Sequence, residues 1–301
     1  MQTLAVVIVS WNVRPLLDKC LVSLRAALET TPVEADVWVV DNASSDGSAH
    51  LVRERHRWAH LETPGENLGF VRANNLVLEQ LLQSQTMPDY VWLLNPDTEV
   101  KPKAIVHLLE AFAAHPKAGL MGPKLLNTDG SLQQSAFRFP ALLQPLFDLG
   151  LMPQRFYNTR WNGRYSRNDY AKSDPFQVDH PLGAAMMARG SALRDVGTLD
   201  ERFAMYCEEI DWAWRMHKAG WTVWLVPDAE VVHHGGASTR QARPETTAHL
   251  WESRARLYRK YHGPLVRGVV GALVRRHFSR QTPASDAWAE AYRHIVNAWT
   301  T

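Results

Sequence analysis

Cysteine is scarce in this chain: there are two in 301 residues, Cys20 and Cys207. Two thiols cannot make a disulfide framework, and their spacing matches no zinc motif, which favours a reducing, cytoplasmic setting. Long apolar runs are also missing, since none approaches the roughly 18 residues that cross a bilayer. The opening run LAVVIV has no basic leader and ends in Ser10-Trp11-Asn12, so a strand is expected there rather than a signal peptide. No G-x-G-x-x-G follows that run, which counts against a dehydrogenase. Internal repeats and low-complexity segments are absent too. One sign of charge disappears locally. No acid occurs in residues 253–285, while Arg254, Arg256, Arg259, Lys260, Arg267, Arg275, Arg276 and Arg280 all fall there. The whole chain carries a formal charge of only +2, so it is not expected to bind nucleic acid.

What is present is a core. Hydrophobic residues make up 46% of the chain, enough for one large core or two fused lobes. Residues 4–9 form a continuous aliphatic run, as a strand buried on both faces would. Apolar residues then recur at helical spacing over 15–28, at Leu16, Leu17, Cys20, Leu21, Leu24 and Leu28. Further strands are expected at 36–40 (DVWVV), near 60–62 and at 90–94 (YVWLL), with helices over 49–57 and 69–82 between them. Strands alternating with helices predict an α/β fold: a mostly parallel sheet with helices on both faces. Ligands in such sheets bind at the C-terminal strand ends. Polar residues concentrate there, at Ser10-Trp11-Asn12, Asp41-Asn42 and Asn95-Pro96-Asp97. After Pro123 the pattern loosens, and 127–179 reads as loops and short strands. Regular signals return at 183–188, in a helix after Cys207, in a strand over 222–226 and in a helix over 246–261 that ends at Gly263-Pro264.

Several stretches carry chemistry. Asp41 to Ser48 (DNASSDGS) closes a strand and opens a helix, where carboxylates can accept from a base or ribose and helix amides can meet an anion. A capped turn without ligand is the plainer alternative. Glu66 to Asn75 sets three asparagines and an arginine around Gly69. Asp97 ends a buried strand, where a divalent cation bridging to phosphate would compensate its desolvation; a helix cap would do so as well. His233-His234 precede a Gly-Gly loop. Most unusual is MYCEEIDWAWR at 205–215, with Glu208, Glu209 and Asp211 among aromatic and apolar neighbours. Asp211 and Arg215 have the spacing of a helical ion pair, while Trp212, Trp214 and Tyr206 could stack on a sugar or fill core.

Taken in order, VVIVSWN, VVDNASSDGS, ENLGFVRANN, LLNPDTEV, GAAMMARGSALRDVGTLDERFAMYCEEIDWAWRMHKAGW and VVHHGGAST resemble the inverting family 2 glycosyltransferases of GT-A fold, in particular the rhamnosyltransferase-like subgroup of bacterial cell-surface polysaccharide assembly. The resemblance spans residues 3–260. It implies nucleotide-sugar contacts by Ser10, Asn12, Asp41, Ser44, Asp46, Asn67, Asn74 and Asn95, with Asp41 reading the base. Asn95-Pro96-Asp97 stands at the family's D-x-D metal motif with Asn95 in place of the first acid, so Asp97 and His233 would share Mg²⁺ or Mn²⁺ with the diphosphate. Glu209 takes the position of the general base, and Gly183, Glu208, Asp211 and Trp212 that of the acceptor site. One base suffices for in-line displacement with inversion.

The resemblance also implies partners: a dTDP-, UDP- or GDP-linked sugar, with rhamnose suggested, and a glycan or polyprenyl-linked acceptor. Expected organisation is a GT-A domain over 1–262, with a nucleotide half at 1–125 and an acceptor half at 126–262, then a basic helical tail at 263–301. At helical spacing Leu265, Val269, Ala272 and Leu273 share one side of that tail. Either it packs back on the domain or it lies on an anionic inner membrane surface, which would make the protein peripheral. Two other readings compete, a non-catalytic sugar-nucleotide or glycan binder on the same fold and a nucleotidyltransferase. The latter would need a glycine-rich basic loop after the first strand, and Ser10 to Pro15 is not one.

Overall fold

The computed structural model describes residues 1–203, 205–235 and 243–300. Strands and helices alternate first: β1 (Gln2–Ser10), α1 (Arg14–Glu29), β2 (Val33–Asp41), α2 (Ser48–Arg55), β3 (His60–Glu62), α3 (Gly69–Gln83) and β4 (Tyr90–Leu94). Then come β5 (Thr98–Val100), α4 (Ala104–Ala114) and β6 (Ala118–Leu126). Short pieces follow, β7 (Leu132–Gln133), β8 (Ala136–Phe137), α5 (Gln144–Asp148), α6 (Arg167–Tyr170), β9 (Phe176–Gln177) and β10 (His180–Pro181). The second half ends with β11 (Ala185–Arg189), α7 (Gly190–Val196), α8 (Glu208–Lys218) and β12 (Thr222–His233). Three helices close the chain, α9 (Arg243–Tyr261), α10 (Pro264–Phe278) and α11 (Asp286–Ala298).

The main sheet runs β3-β2-β1-β4-β11-β6-β12-β5, with β7 beside β6 and β9 beside β12. The first four strands are mutually parallel, while β11 is antiparallel to both β4 and β6. Alternation along β1 explains its uniformly aliphatic run. Leu4, Val6 and Ile8 pack with Leu17, Cys20, Leu21 and Leu24 of α1, whereas Ala5, Val7 and Val9 face Val71, Val77 and Leu78 of α3. Both faces of the strand are covered, so neither can be polar. Strand order reverses at β1, since β2 and β3 lie to one side and β4 to the other; a crevice therefore opens at their C-terminal ends.

One expectation is corrected. The strand expected over 222–226 continues to His233, past a register shift between Val226 and Glu230, and Val231 to His233 also pair with β5. That extension carries the histidines back to the sheet. In the tail, where packing on the domain and lying on a membrane were the two alternatives, α10 has one side that packs and another that is exposed. Val270, Val274 and Phe278 of α10 join Trp251 and Tyr258 of α9 and Ala291, Ile295 and Trp299 in a core of their own, while Leu265 is 79% exposed and Val269 50%. This cluster draws residues from both sides of position 262.

Candidate active site

In-register pairing brings Ser10, the last residue of β1, opposite Asp41, the last of β2. Ser10 Oγ and Asp41 Oδ1 are both enclosed without a hydrogen-bond partner. A buried oxygen left unpaired costs stability, so two at one strand end mark a place built to receive a polar ligand. Around them the loop holds itself. Asn12, at φ 51°, accepts through Oδ1 from the Ser45 amide at 2.8 Å and donates its own amide to Ser44 Oγ at 3.0 Å. Asp46 accepts from the Arg14 amide at 2.7 Å and from the Ser48 hydroxyl at 2.6 Å. Partial burial pushes the Asp46 carboxyl up, but the Ser48 and Arg14 hydrogen bonds outweigh it and hold the group below its ordinary value. Asn12 and Asp46, expected to contact the nucleotide, thus have these acceptor atoms committed to shaping the loop.

The asparagine cluster divides similarly. Asn67 Oδ1 accepts from Asn42 Nδ2 at 2.7 Å and from the Gly69 amide at 2.9 Å, and Asn42 Oδ1 accepts from the Leu68 amide at 2.7 Å. Asn42, which sequence reasoning left out of the site, therefore fastens the 66–69 loop to the end of β2. Asn74 is a correction. It is buried in α3 and donates to the Phe70 carbonyl of the same helix at 2.8 Å, so it does not face the crevice as an open contact.

At the end of β4 the Asn95 amide donates to the Ala184 carbonyl at 2.8 Å, and its own carbonyl accepts from Thr98 Oγ at 2.7 Å. This places the Asn95-Pro96-Asp97 turn beside Gly183. Buried Asp97 meets His233 across 136 residues of sequence, with Oδ1 and Nε2 3.4 Å apart. Gln133 Oε1 lies 2.7 Å from His233 Nδ1 and accepts from it, which leaves Nε2 as the ring nitrogen that faces the carboxylate. A carboxylate and an imidazole facing one another are ligand types that could share a divalent cation, and the hydrogen-bonded Gln133 is the sort of partner that orients a ligating imidazole. Among the described residues no group of three or more His, Cys, Asp and Glu could hold a metal ion. The pair would need oxygens from its substrate. His234 is otherwise engaged, 2.7 Å from Glu99. Gly236 to Thr239 of the VVHHGGAST stretch lie outside the described residues, as does Ala204.

Glu208 and Glu209 begin α8 directly after Tyr206 and Cys207, whose φ angles are 68° and 67°. Two successive non-glycine residues in the left-handed region are costly, and such strain gathers at functional sites. Glu208 Oε2 and Glu209 Oε2 are enclosed without partners. Burial raises the Glu209 carboxyl to about 7, with the charge of Arg254 working the other way. Burial, then the neighbouring Glu209 charge, pushes Glu208 well above the usual range. Positive partial charge at the helix N-terminus tolerates one anion of the pair, not two at no cost. Gly183 lies against this group: a Cβ there would stand 3.4 Å from Glu209 Cβ.

Asp211 and Trp212 are corrections to the expected acceptor site. Neither has exposed surface. Asp211 pairs with Arg215 Nε at 2.8 Å and accepts from the Tyr261 hydroxyl at 2.7 Å, with Lys260 on the same carboxylate. Trp212 donates to the Gly197 carbonyl at 3.0 Å and packs in the core. Both lock α8 in place. Trp214 does so too, sandwiched between Phe139 and Tyr261 at centroid distances of 4.0 and 4.1 Å. Arg254, whose charge reaches Glu209 from α9, was not foreseen, and no signal short of the fold could have paired residues so far apart.

A crevice at a strand-order reversal, enclosed unpaired oxygens at the strand ends and a buried acid pair at a helix start make a candidate ligand site on an α/β fold. The family model described as Glycosyl transferase family 2 matches residues 5–196. The chain is 35% identical over 244 residues to an N-acetylglucosaminyl-diphospho-decaprenol L-rhamnosyltransferase of Mycobacterium tuberculosis, covering 79% of this chain and 78% of the relative. It is also 25% identical to the low-salt glycan biosynthesis hexosyltransferase Agl10 of Haloferax volcanii, over 66% of this chain and 59% of that protein. Among solved structures, TarS 1–349 of S. aureus superposes with a TM-score of 0.55 at 14% identity, covering all of this chain and 81% of that one. The mannosyltransferase of Pyrobaculum calidifontis in complex with GDP-Man and Mn²⁺ gives a TM-score of 0.58 at 16% identity, covering 98% and 83%. This chain belongs to glycosyl transferase family 2 and has the GT-A fold, and it is a glycosyltransferase.

Proposed function

We propose that the protein transfers rhamnose from a nucleoside-diphosphate donor, with inversion, to a hydroxyl of a sugar carried on a polyprenyl diphosphate. The observation that carries this reading is Glu209: a carboxylate with an enclosed, unpartnered oxygen, raised by burial to about 7, packed beside Gly183. In the reaction the acceptor oxygen bonds the anomeric carbon while the bond from that carbon to the diphosphate breaks; the hydroxyl proton passes to Glu209 and nucleoside diphosphate leaves. Ser10 and Asp41 supply the unpaired oxygens for the nucleoside. A divalent cation, Mg²⁺ or Mn²⁺, held by Asp97 and His233 would neutralise charge on the leaving diphosphate. Support for donor and acceptor comes from the mycobacterial relative, whose name specifies rhamnose and a diphospho-decaprenol acceptor.

The direct test offers a panel of dTDP-, UDP- and GDP-sugars, with Mg²⁺ or Mn²⁺, and N-acetylglucosaminyl diphosphate on a short prenyl chain. Acceptor-dependent release of nucleoside diphosphate is expected, fastest with dTDP-rhamnose. Pyrophosphate release would instead mark a nucleotidyltransferase, and binding of donor without turnover a non-catalytic protein.

A lipid-borne acceptor calls for membrane contact. No helix among the described residues is long and apolar enough to cross a membrane. The outward side of α10, with Leu265 and Val269 exposed and basic residues around them, suits an anionic surface instead. The chain is expected to co-sediment with anionic liposomes. The double variant Leu265→Glu, Val269→Glu, which leaves the packed side of α10 intact, should bind them about tenfold more weakly, each basic residue near the surface contributing about 1 kcal/mol that the new acids offset. Equal binding by both proteins, or binding indifferent to salt, would count against this contact.

A further inference from the structure

Helix α9 enters the site from the far end of the chain. Ser253 Oγ donates to the Met205 carbonyl at 2.8 Å, fastening the helix to the strained turn that sets Glu208 and Glu209. The next residue, Arg254, consequently stands where its charge is felt by both Cys207 and Glu209. Its guanidinium packs over Trp251 at 4.8 Å and pairs with Asp148 of α5 at 2.9 Å. Both partners keep 20% of their side-chain surface open to solvent. An arginine presents five donors in a rigid fork, and one carboxylate engages at most two of them. No other carboxylate among the described residues pairs with Arg254, and no acid follows it in sequence before Asp286. A partly exposed guanidinium, on the helix that Ser253 fastens to the turn before Glu208 and Glu209, is therefore left with donors to offer.

We infer that Arg254 is the subsite for the acceptor's phosphate groups, the diphosphate that joins the acceptor sugar to its lipid. This assignment rests on the function proposed above. The attacking hydroxyl must reach Glu209, and the linker begins at the anomeric carbon of the same ring, so the phosphates lie roughly one sugar ring from the base. A planar fork matches phosphate oxygens in the way a lysine does not. Asp148 holds the fork in position when the subsite is empty. Arg256 and Arg259 add positive charge farther along α9, whereas Lys260 is taken up by Asp200 and Asp211.

The test compares two acceptors bearing the same sugar, one on a short prenyl diphosphate and one as a neutral alkyl glycoside, with the full chain. Wild type should prefer the diphosphate acceptor. In Arg254→Gln that preference, read as the ratio of the two kcat/KM values, is expected to fall about tenfold or more through KM, the scale for losing a charge-assisted contact. Any effect of the substitution on Glu209 acts on both acceptors alike and cancels in the ratio. Asp148→Asn, which breaks the ion pair and keeps the arginine, should preserve the ratio, and Arg254→Lys should restore part of it. Equilibrium binding of the prenyl diphosphate alone, in EDTA to close the metal route at Asp97 and His233, should weaken by a similar factor in Arg254→Gln. An unchanged ratio and unchanged binding in Arg254→Gln, or equal losses in Asp148→Asn, would overturn the assignment and leave a structural ion pair. Failure of wild type to transfer to either acceptor, with prenyl diphosphate binding still dependent on Arg254, would instead sink the proposed reaction and keep the phosphate subsite.

Discussion

Glu209→Gln is expected to lower kcat by about 10²-fold or more, the usual scale for loss of a general base. Glutamine keeps the size of the side chain and removes its capacity to take a proton, so donor affinity, measured by titration with nucleoside diphosphate, should change little. The wild-type pH profile follows from the same group. The active form is the carboxylate, and burial raises its pKa to about 7. Below that value kcat/KM should rise about tenfold per pH unit and then level off, and this acid limb should vanish in Glu209→Gln. Glu208 is pushed well above the usual range by its burial and the neighbouring Glu209 charge, which favours its neutral form. Glu208→Gln imitates that neutral form, so its loss should be much smaller. Stability carries the opposite sign: a carboxyl raised in the folded state binds its proton more tightly there than in the unfolded chain. Unliganded wild type should therefore lose Tm as pH climbs from about 4 through about 7, and Glu209→Gln should flatten that decline. Normal turnover by Glu209→Gln alongside an inactive Glu208→Gln would move the base to Glu208 and refute the assignment.

Asp97→Ala and His233→Ala should each weaken Mn²⁺-dependent binding of nucleoside diphosphate by about 10²-fold, because either change removes half of the protein's share of the cation's ligands. Calorimetric titration with and without Mn²⁺ separates this from metal-independent binding, which both variants should retain. Gln133→Ala, which frees His233 Nδ1 from its 2.7 Å partner, should cost about tenfold, the lower end for an orienting group. His234→Ala should have little effect on the titration, since that ring is engaged with Glu99. Full wild-type activity in EDTA would dispose of the metal reading.

Particular residues show how far the sequence reaches. The aliphatic run at 4–9 could only be a strand covered on both faces, and the structure covers it with α1 on one side and α3 on the other. Ser10, Asp41 and Asn95-Pro96-Asp97 end their strands in the sequence as they do in space, because a parallel sheet makes strand ends into one edge. Asp211 was legible as half of an ion pair from its spacing to Arg215, yet only the fold adds Lys260 and Tyr261 and so makes it a buried anchor. Trp212 and Trp214 look alike in sequence. One is core and the other stacks between Phe139 and Tyr261, since successive helix positions turn by about 100° and face different neighbours.

By itself the sequence determined the α/β class, the strand-end polar residues and the acid pair at the head of a helix, all properties of local period and order. Tertiary structure decided which of those residues face the crevice. It joined Asp97 to His233, Ser253 to Met205 and Arg254 to Asp148, and it turned Val270, Val274 and Phe278 inward while leaving Leu265 and Val269 outside. The reason is physical: hydrophobic period specifies that a helix has an apolar side, but two apolar sides on one helix are resolved only by the surface it meets, and contacts between distant segments exist only once the chain has closed the loop between them.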